Sequence, residues 1–137
     1  MTKEQKELLL TDLSARLPYN VKCTYYDKCV DEEDEGTITG MQNGTYFVID
    51  GVCIDVENVK PYLFPISSIT KEQRDEFPFE LSLLNAFING HISLFEDEEL
   101  SVDDITRMMD CFNKNNIDYR GLIPMGLAID ATGKNIY

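Results

Sequence analysis

Basic residues are scarce in this sequence: 12 Lys and Arg stand against 25 Asp and Glu, a formal net charge of −13 at pH 7. Binding to a nucleic-acid backbone depends on cations that displace condensed counterions, so direct nucleic-acid binding is not expected. Anionic membrane surfaces should repel the chain for the same reason. The deficit is not local, because residues 1–62 hold 12 acids and 6 bases, and residues 63–137 hold 13 and 6. Histidine occurs once, as His91, so a nucleophile–base–orienting triad has a single candidate base. In Asn89-Gly90-His91 it follows a helix-ending glycine, where an imidazole caps carbonyls or faces water. Gly-x-Ser-x-Gly, the Walker phosphate loop, Gly-x-Gly-x-x-Gly and His-Glu-x-x-His are all missing. Tryptophan is absent too, which removes the largest anchor from any peptide-binding groove.

Long apolar runs are also missing, and none approaches the roughly 20 residues needed to cross a bilayer. The opening Met1-Thr2-Lys3-Glu4-Gln5-Lys6 is charged and lacks the apolar core of a signal peptide, so a cytoplasmic location is expected. Cys23, Cys29, Cys53 and Cys111 lie 6, 24 and 58 positions apart, with no Cys-x-x-Cys pair. That spacing does not make a zinc site, and no metal or cofactor is expected. In a reducing compartment the thiols should be free. Cys23 and Cys53 read as inward-facing strand residues and Cys111 as a helical one.

What is present is globular: 43% apolar and 27% charged residues. A chain of 137 residues can bury roughly two thirds of its unfolded surface. It therefore reads as one domain over 1–137, divided into a helix (1–17), an antiparallel sheet (18–66) and a helical half with a packed tail (67–137). Thr2 and Gln5 form a capping box, and Leu9, Leu10, Leu13 and Leu17 recur at helical spacing, predicting a helix over Lys3–Arg16 that Pro18 stops.

Period two then takes over. Val21, Cys23 and Tyr25 alternate with Lys22, Thr24 and Tyr26, and further strands are expected over Gly36–Met41, Thr45–Ile49 and Val52–Val56. Asn43-Gly44 and Asp50-Gly51 supply the positive φ angles of tight hairpin turns. This is a curved, four-stranded antiparallel meander, whose closed form is a small SH3-like barrel that protects its edges. Asp31-Glu32-Glu33-Asp34-Glu35, between the first two strands, lacks the alternation and glycine of a calcium loop, and its self-repulsion predicts an extended, solvated loop. Lys60–Ile66, with two prolines, reads as an extended connector.

Thr70 and Gln73 form a second capping box for a helix ending near Phe77. A buried helix is expected over Glu80–Asn89, with Gly90 as its cap and an acidic loop at Glu96–Glu99. Another helix follows Ser101, with Val102, Ile105, Met108, Met109 and Phe112 on one face and Asn115-Asn116 at its end. The tail should pack back through Leu122, Ile123, Leu127 and Ile129, leaving only Ala131–Tyr137 to fray.

Met1–Tyr26, Lys60–Thr70, Asp118–Ile123 and Gly126–Ile129 resemble an uncharacterised group of small acidic proteins encoded by gut bacteria and their phages or mobile elements. The resemblance covers about half the chain and implies a bacterial cytosol or a mobile element, with no activity to transfer. The fold class is therefore α+β, and the expected function is a non-enzymatic protein–protein interaction module. Tyr62, Phe64, Tyr119 and Arg120 are its candidate anchors, because Tyr and Arg are enriched at interface hot spots. Two alternatives stand beside it: an acidic decoy that occupies a nucleic-acid-binding protein, and a small hydrolase using paired carboxylates or a metal.

Overall fold

The computed structural model describes residues 1–76 and 102–137. Helix α1 (Lys3–Arg16) begins as the capping box dictates. The Thr2 hydroxyl accepts from the Gln5 N–H at 3.1 Å, and the Gln5 side chain accepts from the Thr2 N–H at 3.0 Å. Pro18 stops it in a 3-10 turn, Leu17–Tyr19, and Asn20 takes left-handed backbone at φ 54° to turn the chain into the sheet.

Strands β1 (Lys22–Asp27), β2 (Glu32–Gln42), β3 (Tyr46–Ile49), β4 (Val52–Asp55), β5 (Val59–Pro65), β6 (Ile117–Asp118) and β7 (Ile129–Asp130) make one mixed sheet. Its order is β4-β3-β2-β1-β5-β6, with β7 also on β5. Both tight turns take the positive φ angles expected, Asn43-Gly44 at 54° and 75° and Asp50-Gly51 at 48° and 85°. Asp50-Gly51 is a two-residue loop, whereas the first turn takes in Thr45 as a third residue, since Gln42 pairs with Tyr46. The sheet bends at β2, whose first half pairs with β1 and whose second half pairs with β3 across a register shift between Ile38 and Gly40. A bulge there increases local twist and lets one strand serve both halves. A 3-10 turn, Val56–Asn58, carries the chain from β4 to β5. Leu9 and Leu13 of α1 then bury against Val21, Cys23, Ile38, Phe47, Ile49, Ile54 and Val59 in the principal core.

The sheet is larger than the four-stranded meander expected from sequence. The Pro-containing connector is strand β5, antiparallel to β1 on one side and parallel to β6 and β7 on the other. Pro61 is tolerated because β7 begins its pairing only at Tyr62, and Pro65 is the last residue of the strand. The acidic run is not a loose loop either. Glu32 to Glu35 are paired residue by residue with Asp27 to Thr24, so only the turn of residues 28–31 lies outside the ladder.

Of the helical half expected over 67–137, the described residues contain α2 (Lys71–Glu76) and α3 (Val102–Lys114). Thr70 and Gln73 make the second capping box, with bonds of 2.9 and 3.2 Å. The expected end near Phe77, the helix over Glu80–Asn89, its Gly90 cap, His91, the loop at Glu96–Glu99 and the Ser101 cap lie outside the described residues. After α3 the chain turns at Asn116, φ 57°, and continues as two short strands and turns rather than helix. Asp118 organises this tail by accepting from the Leu122 and Ile123 N–H groups, both at 2.8 Å. Leu122 and Leu127 are buried, and Met108, Phe112, Ile117 and Tyr119 form a second apolar cluster with Ile69. The last residues do not fray: the Tyr137 hydroxyl accepts from the Lys22 N–H at 2.9 Å and donates to the Tyr62 carbonyl at 2.7 Å.

Candidate functional site

The four side chains singled out from sequence are engaged inside the fold. Tyr62 is 6% exposed and donates its hydroxyl to Glu35 at 2.8 Å. Burial, then the Glu35 hydrogen bond, pushes its pKa above the ordinary tyrosine value, so it stays a donor. Phe64 is half-buried, its ring centroid 5.7 Å from that of Tyr137. Tyr119 is 7% exposed and donates to the Asn113 side chain at 3.0 Å.

Around Tyr119 the structure assembles a charged cluster that sequence reasoning missed. Arg16 is fully buried and donates to both carboxylate oxygens of Asp12, at 2.8 and 3.1 Å, and to the carbonyls of Ile117 at 2.6 Å and Phe112 at 3.4 Å. Arg120 reaches the same Asp12 carboxylate at 3.3 Å. Both guanidinium carbons lie over the Tyr119 ring, at 5.3 and 5.1 Å from its centroid, and Phe112 stacks on that ring at 5.6 Å. The signal available in sequence was the Asp12–Arg16 spacing of four within a helix. This cluster ties α1 to the tail. Asp12 and Arg16 are fully buried and Arg120 nearly so. One carboxylate holds two guanidiniums, whose remaining charge rests on backbone carbonyls and the Tyr119 ring, which suits the cluster to holding structure.

The open chemistry lies on the outer face of the sheet. Cys23 and Tyr25 point to the core, so Thr24 and Tyr26 point outward, and their cross-strand partners Glu35 and Glu33 share that face. Lys60, opposite Thr24 on β5, lies there as well. These residues, with Tyr25, Asp34, Glu57, Asn58 and Ile129, line a groove of about 620 Å³. Glu33, Asp34, Glu35, Glu57 and Lys60 are in that lining; Asp34 is paired with the core-facing Tyr25, and Glu57 lies 3.9 Å from Lys28. Tyr26 donates its hydroxyl to Asp31, and that bond, followed by burial, raises its pKa. Tyr25 is raised as well, by burial first and then by neighbouring aspartates led by Asp34.

All four of these glutamates and aspartates are exposed, and water screens their fields. Among the described residues, no group of three or more His, Cys, Asp or Glu side chains comes together as a metal site would need. No helix among them is long and apolar enough to cross a membrane. No family model, no curated protein and no solved structure matches this chain.

Proposed function

We propose that the chain is a non-catalytic protein-interaction module that takes an extended segment bearing Lys or Arg from a partner protein into the outer-face groove. The observation that carries this is the composition of the groove lining: Tyr26 beside an acidic rim of Glu33, Glu35 and Glu57, with Lys60 as the single base of the lining. Electrostatic complementarity steers a cationic segment to such a rim, while tyrosine supplies rigid contact area.

The strand order β4-β3-β2-β1-β5, the bent β2 shared by both halves and the 3-10 turn before β5 support a finer reading of this part as a small SH3-like barrel. SH3 domains dock extended, Pro-rich peptides in aromatic-lined grooves. The groove here runs beside the β1–β2 hairpin and the Val56–Asn58 turn. The resemblance to small acidic proteins of gut bacteria and phages implies no activity, so the proposal stands on the groove alone. Tyr62 and Tyr119 then act as internal supports, Tyr62 through its bond to Glu35 on the groove wall.

Amide shift mapping with a short Pro-rich peptide containing two arginines tests this. Changes should concentrate at Thr24, Tyr26, Glu33 and Asn58 and weaken with added salt. Reversing two exposed rim charges together, Glu33→Lys with Glu57→Lys, should lower affinity about tenfold or more. Shifts scattered over the surface, or a charge-reversed variant that binds equally well, would count against the groove.

A further inference from the structure

The four free thiols divide sharply by exposure. Cys23 is buried in the principal core, and burial, with Asp50 adding to it, pushes its pKa up to about 12. Cys111 is half-buried on α3 and is also raised by burial. Cys29 and Cys53 are exposed, contrary to the inward position expected for Cys53, because Ile54 takes the core-facing place in β4. The two exposed thiols are 24 positions apart in sequence, yet both line one cavity of about 220 Å³ beside the hairpin turn.

We propose that Cys29 and Cys53 are an oxidisable dithiol that closes to an intramolecular disulfide, tethering the β1–β2 turn to the sheet-edge strand β4. The inference does not depend on what the neighbouring groove binds. Strand β4 is held by its ladder to β3, where Cys53 pairs with Val48, so the turn supplies the movement. Its ladder stops at Asp27–Glu32, leaving residues 28–31 outside the sheet, with the Cys29 N–H bonded to the Asp27 carboxylate at 2.9 Å. A disulfide needs Cα atoms about 4.4–6.8 Å apart, so closure requires that four-residue turn to carry Cys29 toward β4 across the shared cavity.

The oxidant is a small disulfide. The Cys29 thiolate attacks one of its sulfurs, the S–S bond breaks, and one small thiolate leaves and is protonated by water. Cys53, whose thiol donates to the Gln42 side chain at 2.8 Å, releases its proton to water. Its thiolate attacks the Cys29 sulfur, expelling the second small thiol. Two protein thiols are oxidised and one small disulfide is reduced to two thiols. Asp27, Lys28 and Asp55 line the same cavity, and Asp55 is paired with Lys6 at 3.5 Å, so the oxidant is selected by small size rather than by charge.

Cystamine, a diammonium disulfide, is the probe, applied to the folded full chain before alkylation and intact-mass analysis. The expected product is a monomer lighter by two hydrogen atoms, with two alkylatable thiols lost and a Cys29–Cys53 linked peptide on digestion. Cys29→Ser or Cys53→Ser, both exposed substitutions, should instead stop at a stable cysteamine adduct. Wild-type protein that stops at mixed disulfides on both cysteines, or that links only between molecules, overturns the proposal.

Discussion

Asp12 sits between two guanidiniums, and this fixes what its removal does. Arg16 has no water to turn to, since its side chain is fully buried and its remaining donors already meet backbone carbonyls. Taking one partner from a buried pair leaves an uncompensated charge and costs about 3–5 kcal/mol. Asp12→Ala should therefore destabilise the protein by about that amount in urea titration. Arg120→Ala should cost less, about 1–2 kcal/mol, because Asp12 keeps both bonds from Arg16. Equal losses in the two variants would show that Arg120, not Arg16, is the dominant partner of Asp12. None of this was legible as a core feature, because burial of the pair depends on carbonyls at Phe112 and Ile117, about a hundred residues downstream.

At the scale of elements, Gly36 pairs with Cys23 just before β2 passes from β1 to β3, between Thr37 and Ile38. A Cβ built on Gly36 would stand 2.6 Å from both the Asp50 carboxylate and the Ile49 side chain. Ile49 is fully buried and cannot retreat. Gly36→Ala should thus cost about 1–3 kcal/mol through overpacking, while Gly40→Ala, whose nearest contacts are at 3.8 Å, should leave the thermal midpoint nearly unchanged. A Gly36→Ala variant as stable as wild type would mean that β3 yields more than its burial implies. The elements with strong local chemistry were readable from sequence: two capping boxes, two Gly turns and the alternation of β1. The rest were decided at a distance. Two-residue strands such as β6 and β7 have no period to detect, and the acidic run is drawn into the ladder by β1. The groove likewise needed pairing information, since Tyr26 and Glu33 share a face only through their register.

At the scale of the whole molecule, the tail and the first strand are joined by one hydroxyl, and its proton makes the joint sensitive to alkali. Tyr137 donates to the Tyr62 carbonyl, and a phenolate could not. Although the residue as a whole is 46% exposed, burial of its hydroxyl end raises the pKa from 10.0 to about 12. Cys23, in the core, is raised from 9.0 to about 12. In both, the folded state holds its proton after the unfolded chain has released it, so stability must fall with rising pH. The contributions are complete below pH 9.0 for Cys23 and below pH 10.0 for Tyr137, and both are lost as pH approaches about 12. Denaturant midpoints across this range should show wild type weakening from about pH 9.0, and Cys23→Ala should delay that onset to about pH 10.0. Tyr137→Phe should lower the neutral plateau by about 1 kcal/mol and flatten the upper part of the curve. It should not abolish the slope, because Tyr25 and Tyr62 are shifted in the same direction. A Tyr137→Phe curve parallel to wild type throughout would mean that this hydroxyl is already free in solution and that the tail is held by its β6 and β7 pairing and its apolar packing.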